Sequence, residues 1–598
     1  MCGFIGVVSK NEFDFEKLKK CNEKIICRGP DETKYLTKEL ECGKLYAIFN
    51  RLSIIDLNPN ASQPMSDDEG NIILFNGEVF NHTKLRKQLE AENINFFTDH
   101  SDTELVLRYI GKKGIDSVKN FIGQFAIFYY SKLENKAYLI RDRLSQKPLY
   151  YSIKKNEIQF SSNLVSLIKL DDNFSISKQA ISEYLYTGVV RSPNTIFENY
   201  HKLEPGQILE FNLNSQYTLK KWKFWEPRNF LGEEKFNDEH FTDLLTDAIN
   251  LRQVADVDVA NLLSGGLDST SIISLINKPN KEKLNTFTVT NGNSKYDESN
   301  WANQVSEKYK TKHTNLEIKL ELKIEEVNES IDIFDEPYAD PSTIPSFFIY
   351  KKISEYFKVA ISGDGGDELL GGYDRIYNTL KRNKSFSKLS ELLFNYYPFW
   401  LGTGYNFLKN SSSLEKSYKS SFLDLNLKKI LLNDSDKSEI NLQLKNLDIS
   451  EYKTMILFEY EYYLPEMMML KVDKTSMANS LEIRSPFVDH RLVEYVLSSN
   501  LEYETQNNSK HILKNLLSED FNNHFLNRKK QGFVIDLETW VFKNKQYILD
   551  SVSKSLGEEL IDLNNFKKLF LIKSRVNSIR IWKVYFLSRY LKNLSLTL

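Results

Sequence analysis

Leu262-Leu263-Ser264-Gly265-Gly266-Leu267-Asp268-Ser269-Thr270 decides how the larger part of this 598-residue chain is read. The apolar run Val257–Leu263 before it predicts a buried strand. The run Ser269–Ile276 after it predicts a helix. A Ser-Gly-Gly turn between strand and helix lets the backbone approach an anion and points free N–H groups at it. The loop is not a GxxxxGK[ST] phosphate loop, and the chain holds none.

The surroundings keep the same alternation. Phe236–Gln253 is predicted helical, Thr286–Thr290 a strand, Trp301–Tyr309 a helix and Lys358–Ser362 a strand. Strands alternating with helices imply a parallel sheet with right-handed crossovers. Beyond Tyr377 the pattern is mostly helical, and residues 380–450 are polar with no assignable chemistry. Upstream, short β-like runs crowd the chain: Phe4–Val8, Lys44–Phe49, Asn71–Phe75, Phe125–Tyr130, Ala137–Arg141 and Glu157–Ser161. Helical patterns fall at Asp14–Lys24, His82–Glu92 and Ser101–Lys112. We therefore expect an α+β domain of stacked antiparallel sheets over 1–212, a connection over 213–235, and an α/β domain with a helical C-terminal part over 236–598.

Bulk composition narrows the function. Hydrophobic content is 41%, charged content 27% and net charge −2, which gives no reason to expect nucleic acid or an acidic membrane as partner. No run of about 18 apolar residues suggests a membrane span. The apolar start is too short for a signal peptide and has no leading basic region, so a cytoplasmic protein is expected. All four cysteines, Cys2, Cys21, Cys27 and Cys42, fall in the first 42 residues, without CxxC spacing for zinc. Cys21, Cys27 and Cys42 read as small buried hydrophobes. Cys2 is different: once Met1 is removed, its α-amino group titrates near pH 8 and can accept the thiol proton.

A second loop, Ile361-Ser362-Gly363-Asp364-Gly365-Gly366-Asp367-Glu368, also follows a short apolar strand. Its acids suit Mg²⁺, which takes one or two carboxylates plus phosphate oxygens. Asp268 and Asp367 are the expected metal pair. Asn76-Gly77 is by itself a hairpin signal. Met467-Met468-Met469 reads as helix core.

These residues carry a family resemblance. Met1-Cys2-Gly3-Phe4-Ile5-Gly6-Val7, Arg28-Gly29-Pro30-Asp31, Asn50–Asp56, Phe75-Asn76-Gly77-Glu78 and His100–Glu104 resemble class II glutamine amidotransferases. The Ser264–Ser269 loop resembles that of enzymes cutting ATP between the α and β phosphates. Arg528-Lys529-Lys530-Gln531-Gly532-Phe533 resembles a mobile basic loop. Asp335–Ser342 and Lys471–Ala478 with Glu482–His490 complete the match as scaffold and pocket wall. Together they resemble the glutamine-hydrolysing asparagine synthetases over nearly the whole chain. The resemblance implies an N-terminal-nucleophile αββα sandwich followed by an ATP-pyrophosphatase (HUP-like) domain.

It also implies roles. Cys2 is the nucleophile, with Asn76 and Gly77 as the oxyanion hole. Arg51 pairs with the glutamine carboxylate and Glu78 and Asp102 with its ammonium, beside Leu52, Ser53, Ile54 and Ile55. Leu262, Ser264, Gly265, Gly266, Asp268, Ser269, Val289, Ser362 and Gly363 contact ATP. Asp364 lies near the acyl-adenylate, and Lys530 or Lys529 meets the phosphates. Substrates are then glutamine, ATP with Mg²⁺, and aspartate, and family members are often homodimers. A dry tunnel would carry ammonia between the domains. Five places depart from the usual pattern: Cys27 for His, Ser145 for Gly, Asn163 for Glu, Arg191 for Pro, and Thr290-Asn291-Gly292. They touch the interface and pocket rim, so a second acceptor stays open: another carboxylate, such as a uronic acid of a surface polysaccharide.

Overall fold

The structure is a computed structural model that describes residues 2–41, 43–212, 218–277, 284–290, 298–318, 322–381, 397–401, 418, 421–432, 449–502, 508–528, 535–556 and 560–597. Lys529, Lys530, Cys42, Asn291 and Gly292, and most of 380–450, lie outside the described residues.

Two six-stranded antiparallel sheets form the first half. One has the order β10 (Tyr200–Lys202), β8 (Tyr150–Lys154), β9 (Glu157–Ser161), β1 (Gly3–Ser9), β3 (Gly43–Arg51), β2 (Glu32–Leu40). The other runs β12 (Thr218–Lys223), β11 (Gln207–Asn212), β7 (Lys136–Arg141), β6 (Gly123–Ser131), β5 (Ile72–Val79), β4 (Met65–Ser66). Strand alternation explains why β1 is apolar on both faces. Phe4 and Val8 join the core between the sheets, where Phe128 and Phe160 stack at 4.5 Å. Ile5 and Val7 face helices on the outer side. Part of 213–235, expected as a connection, is therefore sheet: β12 pairs antiparallel with β11.

The second half holds a five-stranded parallel sheet, β15 (Lys312–Glu317), β14 (Asn285–Thr290), β13 (Val259–Leu262), β16 (Val359–Ile361), β17 (Glu482–Arg484). Ala260, Phe287 and Ile361 pack with Phe241, Leu245 and Ile353 from the flanking helices. Among the described residues no helix is long and apolar enough to cross a membrane.

The halves share one continuous core, in which Tyr184 and Leu185 meet Phe334, Tyr338 and Trp582. Buried ion pairs cross the same boundary. Arg28 holds Asp473 through two bonds of 2.8 and 2.9 Å, and Lys202 holds Glu336 at 2.6 Å. Removing one partner of such a pair strands a charge away from water. Asp473→Ala is thus expected to cost about 3–5 kcal/mol, read as an earlier urea midpoint. Asp172→Ala removes only the exposed partner of Lys17 and should leave that midpoint in place.

The departures acquire local reasons. Ser145 adopts φ +59°, the left-handed conformation that favours glycine, and its hydroxyl is buried without a partner. Ser145→Gly is expected to raise the melting temperature slightly, since a left-handed non-glycine residue costs about 1–2 kcal/mol. Asn163 caps a helix by accepting from Ser166 N–H at 2.9 Å. Arg191 donates to Glu183 at 2.6 Å. Cys21 is buried as expected, whereas Cys27 is exposed.

Candidate active site

Cys2 opens β1 and is 8% exposed. Burial pushes its thiol up, against the Leu52 N–H and the Arg51 charge. Its backbone N–H donates to Asn76 Oδ1 at 3.1 Å. Asn76 Nδ2 is buried with no partner in the structure. An unspent amide donor costs stability and is the group an oxyanion requires. The Asn76-Gly77 hairpin signal is overridden, since both residues lie inside β5 opposite Ala126 and Phe125. Gly77 has φ +152°, and a Cβ there would sit 2.0 Å from the Gln124 carbonyl oxygen. Gly77→Ala would push β5 away from β6 beside Cys2. If Cys2 hydrolyses glutamine as the sequence resemblance implies, this variant is expected to release glutamate at least about 100-fold more slowly, the scale of one lost oxyanion donor.

Arg51 ends β3 with its guanidinium anchored from behind by the Asn58 and Asp56 carbonyls at 3.1 and 2.5 Å. Glu78 and Asp102 are both buried, and burial and mutual repulsion push the Glu78 carboxyl well above its usual range. Burial also raises Asp102, which accepts from Val79 N–H at 3.2 Å. A cation beside such a pair favours its charged form. One cation already stands near: Arg484 of β17 reaches across the boundary to 3.7 Å from Glu78. Leu52, Ile54 and Ile55 pack against Val359 and Met477 across the same boundary. Their side chains therefore serve the interface, and Ser53 N–H is tied to Asp31 at 2.8 Å.

The second centre is a cleft of about 380 Å³ lined by Leu262, Ser264, Gly266, Asp268, Ser269, Val289, Ser362, Gly363, Asp364 and Asp367. Gly265 completes the same turn without lining the cleft. The two loops abut: a Cβ on Gly366 would fall 2.6 Å from Asp268 Oδ1. Ser362 Oγ donates to Asp364 at 2.8 Å. Asp268 and Asp367 converge as a metal pair should, yet the cation between them is Lys510. Its ammonium lies 2.6 Å from each carboxylate. Burial would lower this lysine, but the two carboxylates raise it instead. Lys510 is held at φ +57°, strained backbone of the kind found at functional sites. Two hard carboxylates fit Mg²⁺ that completes its shell with phosphate oxygens. Among the described residues no group of three or more His, Cys, Asp or Glu could hold a metal ion alone.

Sequence reading missed Lys510, which sits in Ser509-Lys510-His511 without glycine or other motif signal. Met468, read as helix core, packs against the core and also lines the cleft.

A cavity of about 10 Å³ is lined from both halves of the chain, by Gln124 and Lys147 on one side and Met469, Val472, Ser476 and Ser485 on the other. That is room for about one water-sized molecule. Gln124 pairs with Glu78 in the sheet. Ser485 Oγ lies 3.2 Å from Ser362 Oγ. Burial lowers Lys147, with Asp473 acting against it.

Residues 1–225 match the glutamine amidotransferase domain family and residues 240–591 the asparagine synthase family. Asparagine synthetase [glutamine-hydrolyzing] 1 of Bacillus subtilis (strain 168) is 30% identical over 98% of this chain and 95% of its own. A putative asparagine synthetase [glutamine-hydrolyzing] 2 of Methanocaldococcus jannaschii is 33% identical over 62% of this chain and 76% of its own. A solved structure titled as the allosteric regulatory enzyme of purine biosynthesis is 16% identical over 45% of this chain and 62% of that one, with a TM-score of 0.29. With its two centres and the family matches that cover them, the chain belongs to the asparagine synthase family and carries a glutamine amidotransferase domain in its first part.

Proposed function

We propose that the chain makes asparagine from aspartate with nitrogen taken from glutamine. Cys2 attacks the glutamine amide, with Asn76 Nδ2 and the Gly77 N–H receiving the oxyanion. Ammonia leaves, and water releases glutamate from the γ-glutamyl thioester. Arg51 holds the glutamine carboxylate and the Glu78–Asp102 pair its ammonium. On this reading the glutaminase unit runs to the end of β12.

In the cleft, Ser264, Gly265, Gly266 and Ser269 cradle pyrophosphate while Leu262, Val289, Ser362 and Gly363 hold the adenosine. The aspartate β-carboxylate attacks the α-phosphate of ATP, forming β-aspartyl-AMP and pyrophosphate. Asp268 and Asp367 would hold Mg²⁺, which when bound neutralises phosphate charge. Lys510, which would yield its place between them to the metal, meets the α-phosphate, with Lys530 or Lys529 on the departing pyrophosphate. Asp364 stands beside the adenylate, where ammonia displaces AMP.

The observation that supports this reading is the small cavity lined from both halves of the chain, by Gln124 beside Glu78 and by Ser485 beside Ser362. Free ammonia is mostly protonated at neutral pH, so it must travel out of water to remain a nucleophile. The test is direct. Purified protein with glutamine and ATP is expected to release AMP and glutamate faster when aspartate is added. If glucuronate raises AMP and aspartate does not, aspartate is not the acceptor.

A further inference from the structure

The turn that seats Arg51 is pinned from the far half of the chain. The Arg51 guanidinium donates to the carbonyls of Asp56 and Asn58, so the turn Asp56-Leu57-Asn58 sets where the arginine sits. Asp56 is buried and held at φ +51°. That left-handed conformation is uncommon outside glycine and persists where the surroundings fix it. Asn58 N–H donates to Asp56 Oδ1 at 3.2 Å from within the turn. Two further fixings come from residues distant in sequence.

The first is Asp256, 200 positions away. Asp56 N–H donates to Asp256 Oδ2 at 2.7 Å, and Asp256 N–H returns a bond to the Ile54 carbonyl at 2.9 Å. Ala255 and Val257, on either side of Asp256, pack against the cluster of Leu52, Ile54 and Ile55. The carboxylate therefore reaches over from the residues that lead into β13 and the Ser264–Ser269 loop.

The second is His100. Its backbone N–H donates to Asp56 Oδ2 at 3.2 Å. Its Nε2 lies 2.6 Å from the same Asp256 Oδ2, and its Nδ1 lies 2.9 Å from Asp99 Oδ2. An ionised carboxylate only accepts, so both ring nitrogens carry protons and the imidazole is a cation. The charged groups facing the ring are all acids: Asp99 from its own segment, Asp256 from the loop before β13 and Asp56 from the loop after β3. Burial would lower the imidazole, but the bonds to Asp256 and Asp99 raise it instead. The side chains of His100 and Asp256 are 42% and 36% exposed, so protons reach the pair from solvent.

We propose that His100 and Asp256 form a latch between the halves that positions Arg51 for the glutamine carboxylate, closed while the imidazole is a cation and loosened when it loses its proton. This rests on the function proposed above, in which Arg51 holds that carboxylate, and adds a positioning pair to which each half of the chain supplies one member. At low pH both ring N–H groups donate. As the pH rises through the titration of His100, one nitrogen becomes an acceptor facing a carboxylate. Asp256 is then released from the ring, the Asp56 turn loses a support and Arg51 loses its fixed seat. Asn76 is placed by β5, outside this network, so the effect falls on KM more than on kcat.

The experiment measures glutamate release from glutamine between about pH 6 and about pH 9, a range that spans imidazole titration. AMP formation from ammonium and aspartate is read in parallel to show that each variant is folded. His100→Ala is expected to raise the KM for glutamine about fivefold at neutral pH with kcat held within about twofold, the scale of one partly exposed charge-assisted bond. A glutamine side chain donates to Asp256 without titrating. His100→Gln should therefore keep KM near the unaltered value at neutral pH, and its KM should rise with pH about fivefold less than that of the unaltered protein. Asp256→Ala is expected to raise KM at least about tenfold, since it also strands the Asp56 N–H; the two His100 variants decide the matter if it does not fold. An unmoved KM in His100→Ala, or a His100→Gln profile that overlays the unaltered protein's, overturns the latch while leaving the proposed function standing. Unaltered protein that releases no glutamate overturns both.

Discussion

Cys2→Ala is expected to lower glutamine-dependent synthesis by at least about 10³-fold, the scale on which removing a nucleophile acts, while synthesis from ammonium salts continues. The thiol is buried at the start of β1, and burial opposes its ionisation. Its reactivity must come from a base at the chain end and from donors that stabilise charge only as it develops. The unpartnered Asn76 Nδ2 is such a donor. None of these groups lines the ATP cleft, so adenylation should not depend on them. Parallel assays with glutamine and with ammonium chloride separate the two activities. Equal loss of both would mean that the centres are not independent.

The second large effect is at Lys510. Lys510→Met is expected to lower aspartate-dependent AMP formation by about 10²–10³-fold, the scale of one lost electrostatic contact to a developing charge. Without the ammonium, Asp268 and Asp367 face each other as half-buried like charges, which favours uptake of a proton by one of them. The variant should then bind ATP poorly as well as turn it over slowly. Glutamate release from glutamine, measured on the same preparation, should persist, because Lys510 lies in the other half of the molecule. Lys510→Arg keeps the charge but not the compact ammonium geometry, and intermediate activity is expected.

How far these sites were legible depends on where each residue's partners lie. The central strands were readable because they are apolar on both faces: β1, β6 and β13 fall where their runs predict them. Edge strands were not. β2 reads Glu-Thr-Lys-Tyr-Leu-Thr-Lys-Glu-Leu and is largely exposed, and β15 reads Lys-His-Thr-Asn-Leu-Glu. Such strands are specified by the neighbour they pair with, and their side chains carry little burial signal. β17 is only three residues long, yet Arg484 brings the parallel sheet to Glu78.

The same distinction holds in the sites. Ser264–Ser269 and Ser362–Asp367 were visible because glycine spacing is a local property. Asn76-Gly77 gave a true local signal for the wrong element, since pairing with β6 overrode the turn. Lys510 pairs with Asp268, 242 positions away in sequence, and Lys471 lines the cleft from the turn that follows a π-helix. Neither is marked by a neighbour in the chain.

The central claim is that one chain moves glutamine's amide nitrogen to aspartate. It is tested most directly by supplying [amide-¹⁵N]glutamine, ATP and aspartate in the presence of unlabelled ammonium, and weighing the product. The account predicts asparagine carrying ¹⁵N in excess of its share of the free ammonium pool, with AMP formed in equal amount. Glutamate release without labelled asparagine, or label diluted fully into the pool, would contradict it.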